Sequence, residues 1–441
     1  MAEGAVAAQQ LWAPRAWVQG RWRDSVLLEV AADRTWAAVA PDTPRRPDMA
    51  ALPGPVLPGL VNAHSHAFQR AFVGLTERRD GEHDDFWSWR DRMYGVALTI
   101  TPERLREVAA HLYAELLRGG YTQVCEFHYL HHAPDGSRYA DPLAMSRALV
   151  QAAQDTGIGL ALLPVLYERA GFDAAGLRHD QRRFATSVDD VLALREGVRA
   201  LRAPNVSAGV AIHSLRAARA SSILELAQRL AGDDAPIHIH IAEQTGEVDD
   251  SVAASGLRPI DWLARHVTLD ARWQLVHATH ATQAEIAAVA ASGAGVVLCP
   301  STEANLGDGL CDLPRWLAAG VALSLGSDSQ VTRDWREEIR LLEYGQRLTL
   351  RRRNVAAAPE AGAPSTAARL FERLLAGGAA AAGLGAWGLQ RGARADLVVV
   401  DATDPALARE DNTQLLDTLV FSSPTREFAR VMVGGRWTSA G

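Results

Sequence analysis

The run LVNAHSH at residues 60–66 is a short apolar segment that ends in two histidines, and it sets the pattern for most of the chain. Similar apolar runs, bounded by Gly, Pro or polar residues, alternate with stretches of helical length. The predicted strands are 60–65, 121–127, 158–164, 206–213, 236–241, 273–277, 294–299 and 321–327, and helices are predicted at 102–118, 141–155, 187–202, 219–231, 258–266 and 282–292. Strands that alternate with helices pair in parallel, so eight such units predict a closed (β/α)8 barrel.

The two ends of the chain have a different pattern from its middle. Apolar and aromatic residues alternate between 10 and 58 as in short β-strands, and the proline-rich PGPVLPGLV at 53–61 ends this segment. Beyond residue 380, GARADLVVVD at 392–401 and TREFARVMVGGRW at 425–437 are again typical of strands. We expect an α/β protein in which a (β/α)8 TIM barrel, residues 59–380, is inserted into a small β-sandwich domain formed by residues 1–58 and 381–441.

Composition and charge exclude several classes of partner. The 441 residues carry 45 basic and 52 acidic side chains, and a net charge of −7 argues against nucleic-acid binding. No apolar run approaches the roughly 18 residues of a membrane helix, and the N-terminal segment lacks the features of a signal peptide. The three cysteines form no paired motif, which is typical of a reducing compartment. A cytoplasmic protein without membrane or nucleic-acid partners is expected.

The chain contains no lysine, because all 45 of its basic residues are arginine. Schiff-base catalysis, phosphate binding by a P-loop lysine and a metal bridge made by carbamylated lysine are therefore excluded. The basic groups of any binding site must be guanidinium or imidazole groups.

Histidines and acids recur at the carboxyl ends of the predicted strands, where barrel enzymes hold their active sites. His64 and His66 close the first strand, and a spacing of two directs both side chains to one face. Further such residues are His240 on the fifth strand, His277 on the sixth, Asp328 after the eighth, and Glu243 three residues beyond His240. Three imidazoles and a carboxylate suit one Zn²⁺ with an open position for water, and the same set tolerates Fe²⁺ or Mn²⁺. The predicted metal ligands are His64, His66, His240 and Asp328.

This arrangement of HxH, His, His and Asp resembles the amidohydrolase superfamily, from about residue 52 to 401. The step from His240 to Glu243 is similar to that of its mononuclear zinc aminohydrolases. Within that group, four longer motifs resemble the enzymes that deiminate a linear formimidoyl amino acid in histidine breakdown. They are NAHSHAFQRAFVGLTER at 62–78, DDFWSWRDRMY at 84–94, HYLHH at 128–132 and HSLR at 213–216.

The resemblance implies hydrolysis of N-formimidoyl-L-glutamate to N-formyl-L-glutamate and ammonia. Asp328 would accept the proton of the attacking water, Glu243 would pass a proton to the leaving nitrogen, and His277 would stabilise the tetrahedral carbon. The family also implies a homodimer. Whether residues 80–95 form a lid or a dimer contact stays open, as does the preference among related N-formimidoyl amino acids.

A dicarboxylate substrate needs local positive charge in this acidic protein. The planar fork of arginine suits bidentate binding of a carboxylate, and the candidates are Arg90, after an aromatic run, and Arg216, just beyond the fourth strand. By resemblance, Gln69, Tyr129 and His213 complete the residues that bind the substrate.

Two other interpretations are considered. A mononuclear zinc deaminase of a purine, pterin or triazine ring would use aromatic stacking and amide hydrogen bonds rather than two arginines. A metal-free barrel that binds a partner would show lost ligands, and every expected ligand type is present.

Overall fold

The computed structural model describes residues 9–77, 79, 86–403, 407 and 414–438. The strands are β1 Gln9–Val18, β2 Arg21–Val30, β3 Trp36–Ala40, β4 Ala50–Ala51, β5 Val56–Leu57, β6 Leu60–Ser65, β7 Tyr121–His128, β8 Gly159–Leu166, β9 Val206–Ala208, β10 Val210–Ile212, β11 Ile237–Ile241, β12 Trp273–His277, β13 Gly295–Leu298, β14 Ala322–Leu325, β15 Leu397–Val399, β16 Arg430–Val433 and β17 Arg436–Trp437. The α-helices are α1 Phe86–Ala97, α2 Pro102–Arg118, α3 Ala144–Thr156, α4 Val188–Ala200, α5 Ala220–Arg229, α6 Thr245–Ser255, α7 Pro259–His266, α8 Gln283–Ser292, α9 Pro300–Leu306, α10 Leu313–Ala318, α11 Trp335–Leu350, α12 Thr366–Ala381 and α13 Leu415–Phe421. Short 3₁₀ helices span Ala67–Phe72, His179–Phe184 and Pro359–Ala361.

Strands β6 to β14 form a closed parallel barrel, with β9 and β10 together as its fourth strand. The order is β10-β11-β12-β13-β14-β6-β7-β8-β9, and β10 pairs with β8 as well as with β11, which closes the ring. Every residue of β6, β7 and β8 is buried, as expected for strands covered on both faces. The predicted (β/α)8 TIM barrel is confirmed.

The fourth barrel strand is interrupted at Gly209. A Cβ atom there would lie 2.5 Å from the carbonyl oxygen of Pro236 and 2.8 Å from a methyl carbon of Leu163. Only glycine therefore allows the backbone to approach so closely. Pairing resumes at Val210, so the residues after Ile212 still emerge at the carboxyl end of the barrel.

The barrel helices begin and end at residues that suit those positions. Thr101 caps α2 by accepting a hydrogen bond from the backbone N–H of Arg104, and Pro102 occupies the first turn, where no N–H is needed. Helix α8 begins with a capping box between Thr282 and Glu285, and it ends at Gly293 with φ +79°. The buried residues of α2 recur at helical spacing, which directs one apolar face toward the barrel.

The remaining strands form a second sheet from both ends of the chain. Its order is β17-β16-β15-β5-β1-β2-β3, with β4 beside β1, and its residues bury a separate core around Trp36. A β-sandwich-like domain made from both termini is thus confirmed, while the unit boundaries at residues 58 and 380 remain predictions. Among the described residues, no helix combines the length and apolar character that crossing a membrane requires.

Candidate active site

Three histidine rings and one carboxylate converge at the carboxyl end of the barrel. The Nε2 atom of His64 lies 3.1 Å from Nε2 of His66 and 3.0 Å from Nε2 of His240. Asp328 Oδ1 lies 3.4 Å from Nε2 of both His64 and His66. The four predicted metal ligands are therefore adjacent and buried, although they come from β6 and the residue after it, from β11 and from the turn after β14.

The hydrogen bonds around these rings fit a bound cation. The Nδ1 atom of His66 lies 2.9 Å from the carbonyl oxygen of Phe127, and that of His240 lies 2.9 Å from the carbonyl oxygen of His213. Each Nδ1 must donate to its carbonyl, so each Nε2 carries a lone pair. Burial lowers the pKa of His64 to about 3 and also lowers the pKa values of His66 and His240, which keeps the rings neutral. Converging lone pairs beside a carboxylate are suited to a metal ion.

Glu243 and His277 face each other beside this cluster. The distance from Glu243 Oε1 to His277 Nε2 is 3.7 Å, and the same Nε2 lies 3.7 Å from Asp328 Oδ2. Burial raises the pKa of Glu243 to about 7, although the charges of His277 and Arg216 oppose this shift. Glu243 can therefore both release and take up a proton near neutral pH, as a general acid–base group must.

Glu303 is a buried acid that the sequence did not single out. Its Oε1 lies 3.3 Å from His277 Nδ1 and accepts a hydrogen bond from the backbone N–H of Cys299 at 2.9 Å. The carboxylate thus holds a proton on His277 Nδ1 and directs Nε2 toward Glu243 and Asp328. Its position shortly after β13, a predicted strand end, is the signal that could have identified it.

The backbone is strained at three of these strand ends. Ala242, His277 and Asp328 have φ values of +51°, +70° and +46°, in the left-handed region that non-glycine residues rarely adopt. Such strain persists only where surrounding contacts enforce it, and it is concentrated at functional sites.

The two predicted arginines lie on the same aromatic ring. The guanidinium carbon of Arg90, on α1, is 4.6 Å from the ring centroid of Trp87, and that of Arg216, after β10, is 5.6 Å from it. Both arginines line the cavity that adjoins the metal ligands. Stacking on one indole holds two positive charges near each other on one side of the cavity.

The remaining predicted substrate residues line the same cavity. Gln69 Nε2 donates to the hydroxyl of Tyr129 at 3.1 Å, and both side chains are buried. His213 is half-buried and follows β10 directly. Every residue predicted to bind substrate or to act in catalysis therefore lines this cavity, and their individual roles remain predictions.

The cavity is small, and its lining combines two chemically distinct sets of residues. Its volume of about 50 Å³ corresponds to roughly two water molecules. Glu243 and Asp328 offer acceptors beside the histidines, whereas Arg90 and Arg216, which both contact Trp87, offer donors. A molecule that carries both a cationic and an anionic group complements this lining of acids and arginines.

Helix α1 covers the cavity and contributes several of its walls. Trp89, Arg90, Met93 and Tyr94 all line it. The sequence left open whether residues 80–95 form a lid or a dimer contact. Residues 86–95 lie in α1, and this position favours a cover over the site. Residues 80–85 lie outside the described residues.

Comparison with known proteins identifies the family. The model of the amidohydrolase family matches residues 56–438. The chain belongs to the amidohydrolase family. This amidohydrolase is 46% identical over 429 residues to the formimidoylglutamate deiminase of Pseudomonas aeruginosa, an alignment covering 97% of this chain and 94% of that protein.

Solved structures support the same assignment of family and fold. The crystal structure of an amidohydrolase from Brucella melitensis superposes with a TM-score of 0.92 at 40% identity, covering 97% of this chain and 94% of that chain. An adenosine deaminase from Xanthomonas campestris with bound zinc has a TM-score of 0.78 at 24% identity, covering 97% and 92%. At that identity, the second similarity shows the fold alone.

Two further cavity residues were missed in the sequence. Tyr94 lies within the aromatic motif that contains Arg90, and Tyr167 follows β8 directly at the carboxyl end of the third barrel strand. The strand-end position of Tyr167 was the available signal. Its importance depends on contacts with a 3₁₀ helix that no local pattern indicated.

Proposed function

We propose that this amidohydrolase hydrolyses N-formimidoyl-L-glutamate to N-formyl-L-glutamate and ammonia, as a cytoplasmic homodimer in histidine degradation. The observation that carries the proposal is one cavity that is lined both by buried acids beside the predicted metal ligands and by two arginines, Arg90 and Arg216. This lining complements a substrate with an amidinium group and two carboxylates. The similarity over 97% of the chain to a formimidoylglutamate deiminase supports the same reaction.

The metal of this proposal is one Zn²⁺ per chain, held by His64, His66, His240 and Asp328. The neutral rings and the adjacent carboxylate support this ligand set, and Fe²⁺ or Mn²⁺ would also suit it. A bound divalent cation supplies Lewis acidity, which makes water acidic enough to react at neutral pH.

The protein groups would then transfer protons at three points of one turnover. Asp328 would accept a proton from the attacking water, whose oxygen ends on the formimidoyl carbon. Glu243, with its pKa raised by burial to about 7, would deliver a proton to the terminal nitrogen, which leaves as ammonia when its bond to carbon breaks. The hydroxyl proton on the tetrahedral carbon would return to the Glu243 carboxylate as the carbonyl forms, and Asp328 would release its proton to solvent, so that both acids are restored. His277, oriented by Glu303, would donate a hydrogen bond to the tetrahedral carbon's oxygen.

The two carboxylates of the substrate would bind to the two arginines of the cavity. Arg90 and Arg216 supply guanidinium groups there, with Gln69, Tyr129 and His213 as neutral polar neighbours. Fixing both carboxylates would orient the formimidoyl group toward Glu243 and Asp328.

Ammonia release tests this function directly. Purified protein should release ammonia from N-formimidoyl-L-glutamate, lose this activity on chelation and recover it with Zn²⁺. N-formimidoyl-L-aspartate and guanine serve as comparison substrates, and we expect the glutamate derivative to be preferred. A zinc-loaded sample that releases ammonia from guanine but not from N-formimidoyl-L-glutamate would reject the proposal in favour of a ring deaminase.

A substitution separates these two substrate classes further. Arg216→Met should raise KM for the dicarboxylate by about tenfold to a hundredfold, because a charged hydrogen bond is lost. Arg104→Met, on the exposed side of α2, is the matched control. An Arg216→Met variant with the KM of the wild type would contradict carboxylate binding by Arg216.

A further inference from the structure

Tyr94, Tyr167 and Gln181 form a hydrogen-bonded triad, and its two tyrosines line the cavity together with Arg90 and Arg216. Gln181 lies in the 3₁₀ helix His179–Phe184, and its Nε2 lies 3.0 Å from the hydroxyl oxygens of both Tyr94 and Tyr167. The two hydroxyl oxygens lie 3.2 Å from each other. All three side chains are at most 3% exposed.

The orientation of the Gln181 amide follows from its other contact. Its Oε1 accepts a hydrogen bond from the backbone N–H of Arg178 at 3.0 Å. Nε2 must therefore face the two tyrosines, and its two protons go to the two phenolic oxygens. Each phenolic oxygen accepts from the amide and keeps its own proton to donate.

Two phenolic protons are available, but the contact between the tyrosines uses only one. Whichever hydroxyl donates, the proton of its neighbour remains without an acceptor among the described residues. Burial raises the pKa of Tyr167 well above its usual value, so this hydroxyl stays protonated and can act only as a neutral donor or acceptor. A buried donor without a partner is costly, which favours an acceptor supplied by a ligand.

The surroundings of the triad indicate the chemistry of that acceptor. Tyr94 and Tyr167 line the cavity together with Arg90 and Arg216, and the guanidinium carbon of Arg90 lies 5.5 Å from the ring centroid of Tyr94. An acceptor atom near two guanidinium groups is most favourably an anion, and a carboxylate oxygen accepts from phenolic and guanidinium groups alike.

We propose that the Tyr94–Tyr167 pair donates its remaining phenolic proton to a carboxylate of the bound substrate, and that Gln181 holds the pair in the orientation for doing so. The inference rests on the proposed function for the identity of the carboxylate. It makes the two tyrosines specificity-determining residues and Gln181 a positioning residue.

The shared proton predicts an unusual pattern among variants. In Tyr94→Phe or Tyr167→Phe, the remaining tyrosine no longer donates to its neighbour and can donate to the ligand instead. Each single variant should therefore bind the ligand within about threefold of wild type. The double variant loses the donor altogether and should bind about tenfold or more weakly, because hydrogen bonds to charged groups are strong.

Calorimetric titration with the product N-formyl-L-glutamate tests this pattern without requiring turnover. We expect a Kd for the double variant at least tenfold above that of wild type, and more than the product of the two single effects. Tyr344→Phe, on the partly exposed face of α11, is the matched control and should bind as wild type does. Equal affinity in wild type and double variant, or no binding by wild type, would overturn the inference.

Two further measurements separate a binding role from a structural one. The carboxamide analogue, N-formyl-L-glutamine, has lost one anionic group, so the double substitution should weaken its binding less than that of N-formyl-L-glutamate if the pair contacts the side-chain carboxylate. An equal loss for both ligands would assign the contact to the α-carboxylate. A double variant with a lower melting temperature than wild type but an unchanged Kd would instead show that the triad has only a structural role. Wild-type protein that binds N-formyl-L-glutamate but releases no ammonia would reject the proposed function alone.

Discussion

Glu243 follows strand β11 and faces His277 at 3.7 Å, in a position where burial raises its pKa to about 7. A carboxyl group with a pKa near neutrality can populate both its protonated and its ionised form at neutral pH. It can therefore deliver a proton in one step and take one up in the next, which an ordinary glutamic acid does poorly at the same pH.

Replacing Glu243 by Gln should separate catalysis from metal binding. The amide keeps the shape of the side chain but cannot transfer a proton, so kcat should fall about 10²–10⁴-fold. Metal content by emission spectroscopy should stay at the wild-type level, since Glu243 is not a predicted ligand. Glu360→Gln, in an exposed turn, is the control. A kcat near wild type would remove Glu243 from the mechanism.

Glu303 acts through His277 rather than on the substrate. In Glu303→Gln the charged acceptor for His277 Nδ1 is lost, and kcat should fall about 10- to 100-fold, as for other groups that orient an active-site ligand. KM and metal content should change little, because the Glu303 carboxylate bonds to His277 and to the backbone of Cys299, neither of which is a predicted metal ligand or substrate-binding residue. A change in KM without a change in kcat would contradict this positioning role.

The predicted ligands could be identified from single residues because the barrel brings all strand ends to one face. A histidine or an acid after a strand is therefore informative even without its neighbours. Tyr94 and Gln181 could not be identified in this way. Their contact joins positions 87 residues apart, and it depends on how a 3₁₀ helix packs against α1.

At the scale of elements, helix α1 is the part of the site that sequence patterns describe least. The barrel strands and the helices α2 to α5, α7 and α8 were predicted closely, because hydrophobic periodicity and caps are local signals. The placement of α1 depends instead on long-range contacts. Buried Arg183 donates from Nε to the carbonyl oxygen of His132 at 2.7 Å and from Nη2 to that of Ile100 at 2.7 Å, just beyond α1.

The small cavity predicts that α1 moves when a ligand binds. The cavity volume of about 50 Å³ is small for a glutamate derivative, so we expect the lining residues Trp89, Arg90, Met93 and Tyr94 to shift and then contact the ligand. In hydrogen–deuterium exchange, the peptide spanning α1 should exchange more slowly with N-formyl-L-glutamate bound, whereas the peptide spanning α2 should not change. Unchanged exchange in α1 at saturating ligand would contradict this role.

At the scale of the molecule, the metal site ties distant parts of the barrel together. His64 lies in β6 and His66 directly after it, His240 lies in β11, and Asp328 lies in the turn after β14. A metal bound only by the folded chain stabilises it, by about 2.7 kcal/mol at a hundredfold excess over Kd. Chelation should therefore lower the melting temperature by about 3 °C, and Zn²⁺ should restore it. A melting temperature that chelation leaves unchanged would argue against the metal site.

The absence of lysine limits which positive charges can bind a carboxylate anywhere in the molecule. With no lysine in the chain, every fixed positive charge available to a carboxylate is an arginine. Two of these arginines, Arg90 and Arg216, line the cavity, although the chain as a whole has a net charge of −7. Their shared contact with Trp87 could not be predicted, because it requires α1 and the loop after β10 to meet.

The most direct test of the central claim is to identify which carbon–nitrogen bond is cleaved. Substrate labelled with ¹³C at the formimidoyl carbon should give, by NMR, one labelled product, N-formyl-L-glutamate, with one equivalent of ammonia. This result follows if Glu243 protonates the terminal nitrogen while the arginines retain the glutamate part. Labelled formamide together with free glutamate would mean that the other nitrogen leaves, and it would contradict the account.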